Sequence, residues 1–381
     1  MGPDFRRRFG NTVGAFADGA ILFPLLAALS LKSGFQSSWL LCSAGATYLM
    51  AGFLFRVPMS VQPLKVIVIG AMAVGATSLE VRVGGALLGV VCLFFSVFDT
   101  ERLAARVPTP LVHGLQLGLG ILLITEGMRL SGSGSSIYQY GGAVASFGMT
   151  LGLALVLVFL TERYRLSLLG LTATLGLAYG ILTTTGNGPV PAAAIPSVRW
   201  NIVAFLVLPQ IVLTLSNSVL GTVDVTHRYF GRAAERVTPR RLLHSIGWGN
   251  LLLASVGGLP FCHGAGGVTA HVKGGATDWR SNSVIGLALI TLAFIQYGIG
   301  TWLPIHYPSW LLALLLVSMG IFHLGLVRRT WEIVGERPRL VVMAMAAVLT
   351  RNMLTVLGAG LLADVMGLRT WPIFRQSKGT A

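Results

Sequence analysis

Apolar residues dominate this chain in long runs, and its polar positions fall into short punctuations between them. Runs near the roughly 20 residues needed to span a bilayer recur from end to end. Examples are 21–31 extended backward to Gly10, 83–98, 146–160 and 284–302. The pattern predicts an all-α polytopic membrane protein. Helices one to seven fall at about 9–31, 38–55, 64–78, 82–99, 108–127, 141–160 and 165–185. A loop carrying Gly186, Gly188, Pro189, Pro191 and Pro196 follows. Helices eight to twelve fall at about 201–224, 241–257, 263–275, 283–303 and 308–326. The stretch 339–367 reads as one long span or two short ones. Arg351 and Asn352 at its middle favour two, because a charge at mid-bilayer is costly. The total is then about 14.

Two interruptions break the pattern. The first is Pro58-Met59-Ser60-Val61-Gln62-Pro63-Leu64-Lys65, ahead of helix three. The second runs from Gly257 through Leu259, Pro260, Phe261, Cys262, His263, Gly264, Ala265 and Gly266 to Gly267, ahead of helix ten. They lie roughly 200 residues apart at similar positions in the two halves. Paired breaks of this kind in apolar segments point to a substrate site between inverted repeats.

Composition agrees with a membrane protein. Hydrophobic residues make up 54% of the chain and charged residues 11%, against about 25% charged in a soluble domain. The 28 basic and 13 acidic residues leave a net charge of +15. No basic face with interleaved aromatics exists outside the spans, which excludes nucleic-acid binding. The basic residues instead test the topology through the positive-inside rule. With the N-terminus in the cytoplasm, the basic loops 100–106, 161–165, 227–241 and 328–339 all fall inside. The loops 131–140, 186–197 and 304–308, nearly free of Lys and Arg, fall outside. Arg6, Arg7 and Arg8 before the first apolar run mimic a signal peptide, but Asn11, Asp18 and the length of the run argue for a first span. Cys42, Cys92 and Cys262 are too scattered for a disulfide framework or a metal site, and no cofactor is implied.

About fourteen spans divide as seven plus seven, and an odd number inverts the second repeat. The first repeat covers 1–186 and the second 201–367, with an extracellular connection at 187–200 and a cytoplasmic tail at 368–381. Helix three then corresponds to helix ten, as half-helices meeting at the midplane. Irregular backbone at that depth must be buried in protein or line a cavity. Two helix N-termini facing each other there make an anion site. Ser60, Gln62, Pro63 and Lys65 from the first break, with His263, Gly264, Ala265, Gly266 and Gly267 from the second, are the candidate substrate-binding residues. Asn217, in the polar patch Thr214, Ser216, Asn217 and Ser218 of helix eight, is another. Asp18, inside helix one, and His263 are candidates for carrying a coupling proton. Each has a plainer reading. Glycine-rich helix starts serve close packing, Lys65 can snorkel to the surface, and His263 can be a satisfied buried histidine. Asp18 can pair with Lys65 or with backbone donors, and the helix-eight patch can serve interhelical hydrogen bonding.

At these residues a family resemblance becomes visible. Segment 58–65 is similar to the Pro-x-x-Val-Gln-Pro-x-Lys signature of the molybdate/sulfate transporters, relatives of the SulP anion transporters. Segment 260–267 resembles that family's Pro-x-Cys-His-Gly-Ala-Gly-Gly signature. Segment 10–29, with Asp18 and Pro24, resembles its first helix, and segment 213–224 its Leu-Thr-x-x-Asn-Ser/Ala-Val helix. The family's usual Gly-Asp-Leu-Gly is Ala17-Asp18-Gly19-Ala20 here, and its usual Phe-Gly-Ala-Arg is Gly274-Gly275-Ala276-Thr277. The missing arginine bears on substrate identity more than on fold. The resemblance implies seven-plus-seven inverted repeats with a core domain, containing helices three and ten, and a gate domain. It implies uptake of molybdate or sulfate, and the chain leaves no room for a STAS domain.

The expectation is therefore a proton-coupled importer of a tetrahedral oxyanion, working by alternating access in the inner or plasma membrane, with both termini cytoplasmic. Its partners would be the anion, protons, the lipid bilayer and, in a homodimer, a second copy. A bicarbonate or nucleobase transporter on the same fold, or an uncoupled anion channel, are the alternatives. An enzyme is not expected, because the spans hold no clustered catalytic carboxylates.

Overall fold

The structure, a computed structural model, describes residues 3–98, 108–132, 142–164, 168–183, 197–300 and 308–366. The interhelical loops 100–106, 186–196 and 304–307, most of 131–140, and the tail 368–381 lie outside the described residues, so the loop-charge reading rests there on sequence alone.

Helix one of the sequence reading is two helices, α1 (Pro3–Ala15) and α2 (Gly19–Ser33). The chain turns at Phe16, Ala17 and Asp18 between them, which moves Asp18 from a helix interior to a break. Next come α3 (Ser37–Phe55), the two-residue strand β1 (Gln62–Pro63), α4 (Lys65–Val74), α5 (Ser78–Ser96), α6 (Thr109–Gly132), α7 (Gly142–Tyr164) and α8 (Leu168–Thr183). The second half opens with α9 (Trp200–Leu213), which continues through a π-helical segment (Thr214–Gly221) into α10 (Thr222–Phe230). It goes on with α11 (Pro239–Val256), strand β2 (Phe261–Cys262), α12 (Ala265–Lys273), α13 (Arg280–Gly300) and α14 (Ser309–Leu326). After a short turn of helix at Arg328–Trp331, α15 (Arg337–Thr350) and α16 (Met353–Val365) close the order. The stretch 339–367 is thus divided. Arg351 takes a left-handed conformation at φ 51° and Asn352 caps α16 through the Leu354 and Thr355 N–H groups. Among the described residues, seven helical stretches are long and apolar enough to cross a membrane, and this is a multi-pass membrane protein.

The two halves interlock. Helix α3 packs on α13, and α5 on α11. Both crossings are made by glycine pairs, which let helix backbones approach closely in a membrane. A methyl group on Gly45 would come within 2.6 Å of the Gly286 carbonyl, and one on Gly89 within 2.8 Å of the Gly247 carbonyl. In the inverted arrangement α3 corresponds to α11 and α5 to α13, so the two crossings are the same contact made twice. Helices α6, α14, α15 and α16 form a second group, in which α14 packs along α6.

Burial separates roles that the sequence presents as equally apolar. Nearly every residue of α2 from Leu22 to Leu29 and of α4 from Lys65 to Met72 is buried, as expected of helices that are apolar all round and sit at the centre of a bundle. Helix α7 instead exposes Leu153, Leu155, Val156 and Phe159, a face suited to lipid. Thr77 and Glu80 form a capping box at the start of α5, and Glu80 also receives Arg199 at 2.7 and 2.8 Å, tying α5 to the start of α9. Glu80→Gln is expected to lower the melting temperature slightly, because it exchanges a charge-assisted pair for neutral hydrogen bonds. An unchanged melting curve would count against that bracing role.

Candidate functional site

The two breaks meet. Pro58 and Pro63 stop helix formation, and the freed backbone needs other partners. It finds them in the opposite break. Strands β1 and β2 pair antiparallel, Gln62 with Cys262 and Pro63 with Phe261, and the Leu64 N–H donates to the Pro260 carbonyl. Two asparagines clamp the remaining irregular backbone. Asn282 of α13 accepts from the Met59 N–H at 2.9 Å and donates to the Met59 carbonyl at 2.7 Å. Asn250 of α11 does the same for Phe261, at 2.9 and 2.7 Å. Asn282→Leu would leave both Met59 groups buried without partners, at about 1–3 kcal/mol each. A drop of several degrees in melting temperature is expected, and an unaltered one would show that the clamp is dispensable.

Ser60 joins the breaks a second time. Its hydroxyl donates to the Gly264 carbonyl at 2.7 Å and accepts from the Gly264 N–H at 2.9 Å. The imidazole of His263 lies between Ser60 and α11. Nδ1 is 2.8 Å from the Ser60 carbonyl and Nε2 is 2.9 Å from the Ser245 hydroxyl. A carbonyl only accepts, so Nδ1 carries the proton and Nε2 accepts from Ser245. Phe55 and Phe261 stand edge-on to the ring. His263 is therefore fully enclosed, with both nitrogens engaged.

Gln62 turns towards α2. Its Nε2 donates to Asp18 Oδ1 at 2.5 Å, while its Oε1 has no hydrogen-bond partner among the described residues and packs against Gly264. Asp18 also accepts from the Tyr48 hydroxyl at 3.0 Å, and His271 Nε2 stands 3.9 Å from the same oxygen, Oδ2. Asp18, Gln62, Tyr48 and His271 are all fully buried.

The two half-helix starts differ. At α4, the Val66 and Ile67 N–H groups both point at Gln210 Oε1, at 2.9 and 3.4 Å. Gln210 of α9, held in turn through Nε2 by Thr214 at 3.0 Å, plugs that N-terminus with a neutral acceptor. At α12, Gly264 is the N-cap, and among the described residues no acceptor meets the N–H groups of Ala265 and Gly266. Both residues are half-buried, and a methyl group on Gly266 would meet only Phe322 of α14, at 3.8 Å. The open helix start thus faces α14 of the second group of helices. Lys65, 6% exposed, has no hydrogen-bond or ion-pair partner among the described residues and lies in electrostatic reach of Asp18 and of His323 on α14. It does not reach a surface. Asn217, half-buried in the π-helical segment, lies beside the same start: the methyl position of Gly221 is 3.9 Å from Asn217 Oδ1 and 3.3 Å from Ala265 Cβ. A π-helical turn widens a helix and recurs at functional sites.

The sequence reading missed Gln210, Tyr48, His271, Asn250 and Asn282. The amides left one signal, an Asn or Gln among the apolar residues of a helix, which has to find a partner. Tyr48 and His271 left none that separates them from interfacial residues.

The arrangement sets two backbone N–H donors near a buried lysine inside the helix bundle. Residues 10–123 and 203–322 match the family described as "Molybdate transporter of MFS superfamily", and together they exceed half of the chain. The chain belongs to this molybdate transporter family. Molybdate transporter 2 of Arabidopsis thaliana is 23% identical over 374 residues, covering 81% of this chain and 76% of that protein. The fold is similar to the transmembrane domain of a cyanobacterial bicarbonate transporter, BicA, with TM-score 0.61 and 17% identity over 94% of this chain and 98% of that one. It is also similar to the murine anion transporter Slc26a9 in its inward-facing state, with TM-score 0.65 and 13% identity over 94% of this chain and 68% of that one. These neighbours share the seven-plus-seven inverted-repeat fold. The superfamily named in the family's description has halves related by an axis along the membrane normal, whereas the crossings of this molybdate-transporter family member relate inverted halves. The relatives are transporters and not enzymes.

Proposed function

We propose that this protein is a secondary active importer of molybdate, with sulfate as the competing tetrahedral oxyanion. The observation that supports this most is the α12 start: two N–H groups without acceptors among the described residues, opposite α14. The dipole of α12 adds about half a positive charge there, and Lys65 a full one. A compact dianion fits this set, because it accepts hydrogen bonds from every side. Lys65, Ala265, Gly266 and Asn217 would touch the anion. Ser60, Gln62, Pro63, His263, Gly264 and Gly267 would hold the half-helix starts in place. Transport would follow from movement of the first helix group, which carries both breaks, against the group built on α6 and α14. Protons are the proposed coupling ion, since a dianion entering a dry site needs its charge offset. The basic loops support cytoplasmic termini in a plasma or inner membrane.

Ala265→Pro tests the donor role selectively. Proline is tolerated at the first position of a helix and removes one N–H. In proteoliposomes, molybdate affinity is expected to fall roughly tenfold to a hundredfold, as loss of one charge-assisted bond implies, with the melting temperature unchanged. Wild-type protein that neither accumulates molybdate nor shows competition by sulfate would overturn the assignment. Inhibition by bicarbonate alone would move it to that anion.

A further inference from the structure

His271 is absent from the transport scheme so far, yet it is fully buried and incompletely bonded. Its Nδ1 lies 2.8 Å from the Gly14 carbonyl, so Nδ1 carries a proton. Its Nε2 is buried without a hydrogen-bond partner among the described residues and faces Asp18 Oδ2 at 3.9 Å. Asp18 is the only carboxylate near the α12 start among the described residues: a methyl group on Gly267 would lie 2.6 Å from its Oδ1. An ionised Asp18 therefore competes with an anion for the same helix dipole.

We propose that the Asp18–His271 pair carries the coupling proton, with His271 Nε2 as the atom that receives it. This rests on the oxyanion-transport reading. With neutral His271 the pair has a charge of −1, which opposes a dianion. When the Nε2 lone pair takes a proton from the outer aqueous phase, the pair becomes neutral and the Nδ1–H bond to Gly14 is kept. The anion then meets an uncompensated helix start and Lys65. After inward opening, the proton leaves Nε2 for the cytoplasm. Binding is present below the pair's titration midpoint and lost as pH rises through it.

The surroundings leave His271 as the group that switches. From α3, Tyr48 stands edge-on at 6.1 Å and gives its hydroxyl to Asp18. From α4, Lys65 reaches Asp18 electrostatically. On α10, Asp224 is paired with Arg228, and His227 with the Val237 carbonyl. Arg8 on α1 and Lys273 on α12 are exposed. The π-helical segment carries no titratable group. His263, the other histidine beside the breaks, has both nitrogens engaged.

Molybdate binding to the purified full-length protein, measured from about pH 5 to 8 where histidine titrates, tests this. Wild-type affinity should fall roughly tenfold per pH unit above the midpoint, the slope for one proton per anion. His271→Asn keeps a donor for the Gly14 carbonyl and removes Nε2. It should bind weakly and without that slope. Asp18→Asn should bind at the wild type's acidic level throughout. A purely structural pair would weaken binding in both variants alike, and a wild-type slope retained in His271→Asn would overturn the proposal. Should His271→Asn not fold, 15N-histidine spectra of the wild type decide. Molybdate should protonate one buried histidine, and an unchanged set of histidines refutes the idea. Wild-type protein that binds no molybdate at any pH would instead refute the substrate reading.

Discussion

Gly267→Ala is expected to abolish molybdate uptake. The added methyl group would sit 2.5 Å from Ser60 Cβ and 2.6 Å from Asp18 Oδ1, and closer still to Gln62 Nε2. None of these is the far end of a flexible exposed chain. All three are buried, and each is tied to another element by the bonds that hold the breaks together. Room for the methyl can come only from separating the first break from α12, and overpacking of this kind costs about 1–3 kcal/mol. The expected result is a melting temperature lowered by several degrees and uptake at background. Gly266→Ala, at the preceding residue, is the internal control: its methyl group meets only Phe322 at an ordinary 3.8 Å, so the fold should be unaffected. Wild-type uptake in Gly267→Ala would mean that the breaks are not packed as described.

Gln62→Ala is expected to reduce molybdate affinity by roughly tenfold to a hundredfold, the equivalent of one lost bond to a charged group. The loss acts through the first break, which without the Nε2 bond at 2.5 Å is no longer tied to Asp18 and no longer holds the half-helix starts in place. Gln62→Glu goes further and sets a second carboxylate against Asp18. Two adjacent carboxylates ionise together only at high cost, so one holds a proton. Binding by this variant should be absent at neutral pH and recover partly on acidification. Equilibrium binding over a pH series measures both effects. Equal affinities for the two variants and the wild type would remove Gln62 from the site.

The breaks themselves were legible in the chain because proline, glycine and polar residues in a row cannot continue an apolar helix. Their pairing across about 200 residues was legible from loop charge, which orients the spans and so inverts the second half. The side-chain partners were not. Asp18 reads as a residue inside one long first helix, and only the turn at 16–18 brings it to Gln62 and Tyr48. His263 carries the stronger motif signal and is enclosed by Ser60 and Ser245, whereas His271, near the end of α12, keeps an unbonded nitrogen among the described residues. Motif position does not report how many partners a ring finds.

The sequence alone determined the membrane environment, the inverted halves and the two polar breaks, because hydropathy, loop charge and helix-breaking residues act locally along the chain. The tertiary structure decided which half-helix start is open. Gln210 reaches across from α9 to fill the α4 end with a neutral amide, while Ser60 satisfies only the Gly264 N–H and leaves Ala265 and Gly266 uncovered. That choice depends on contacts between residues more than 140 positions apart. Local propensity carries no trace of them, because the same N–H groups exist at every helix start and only a neighbouring element determines whether they are used.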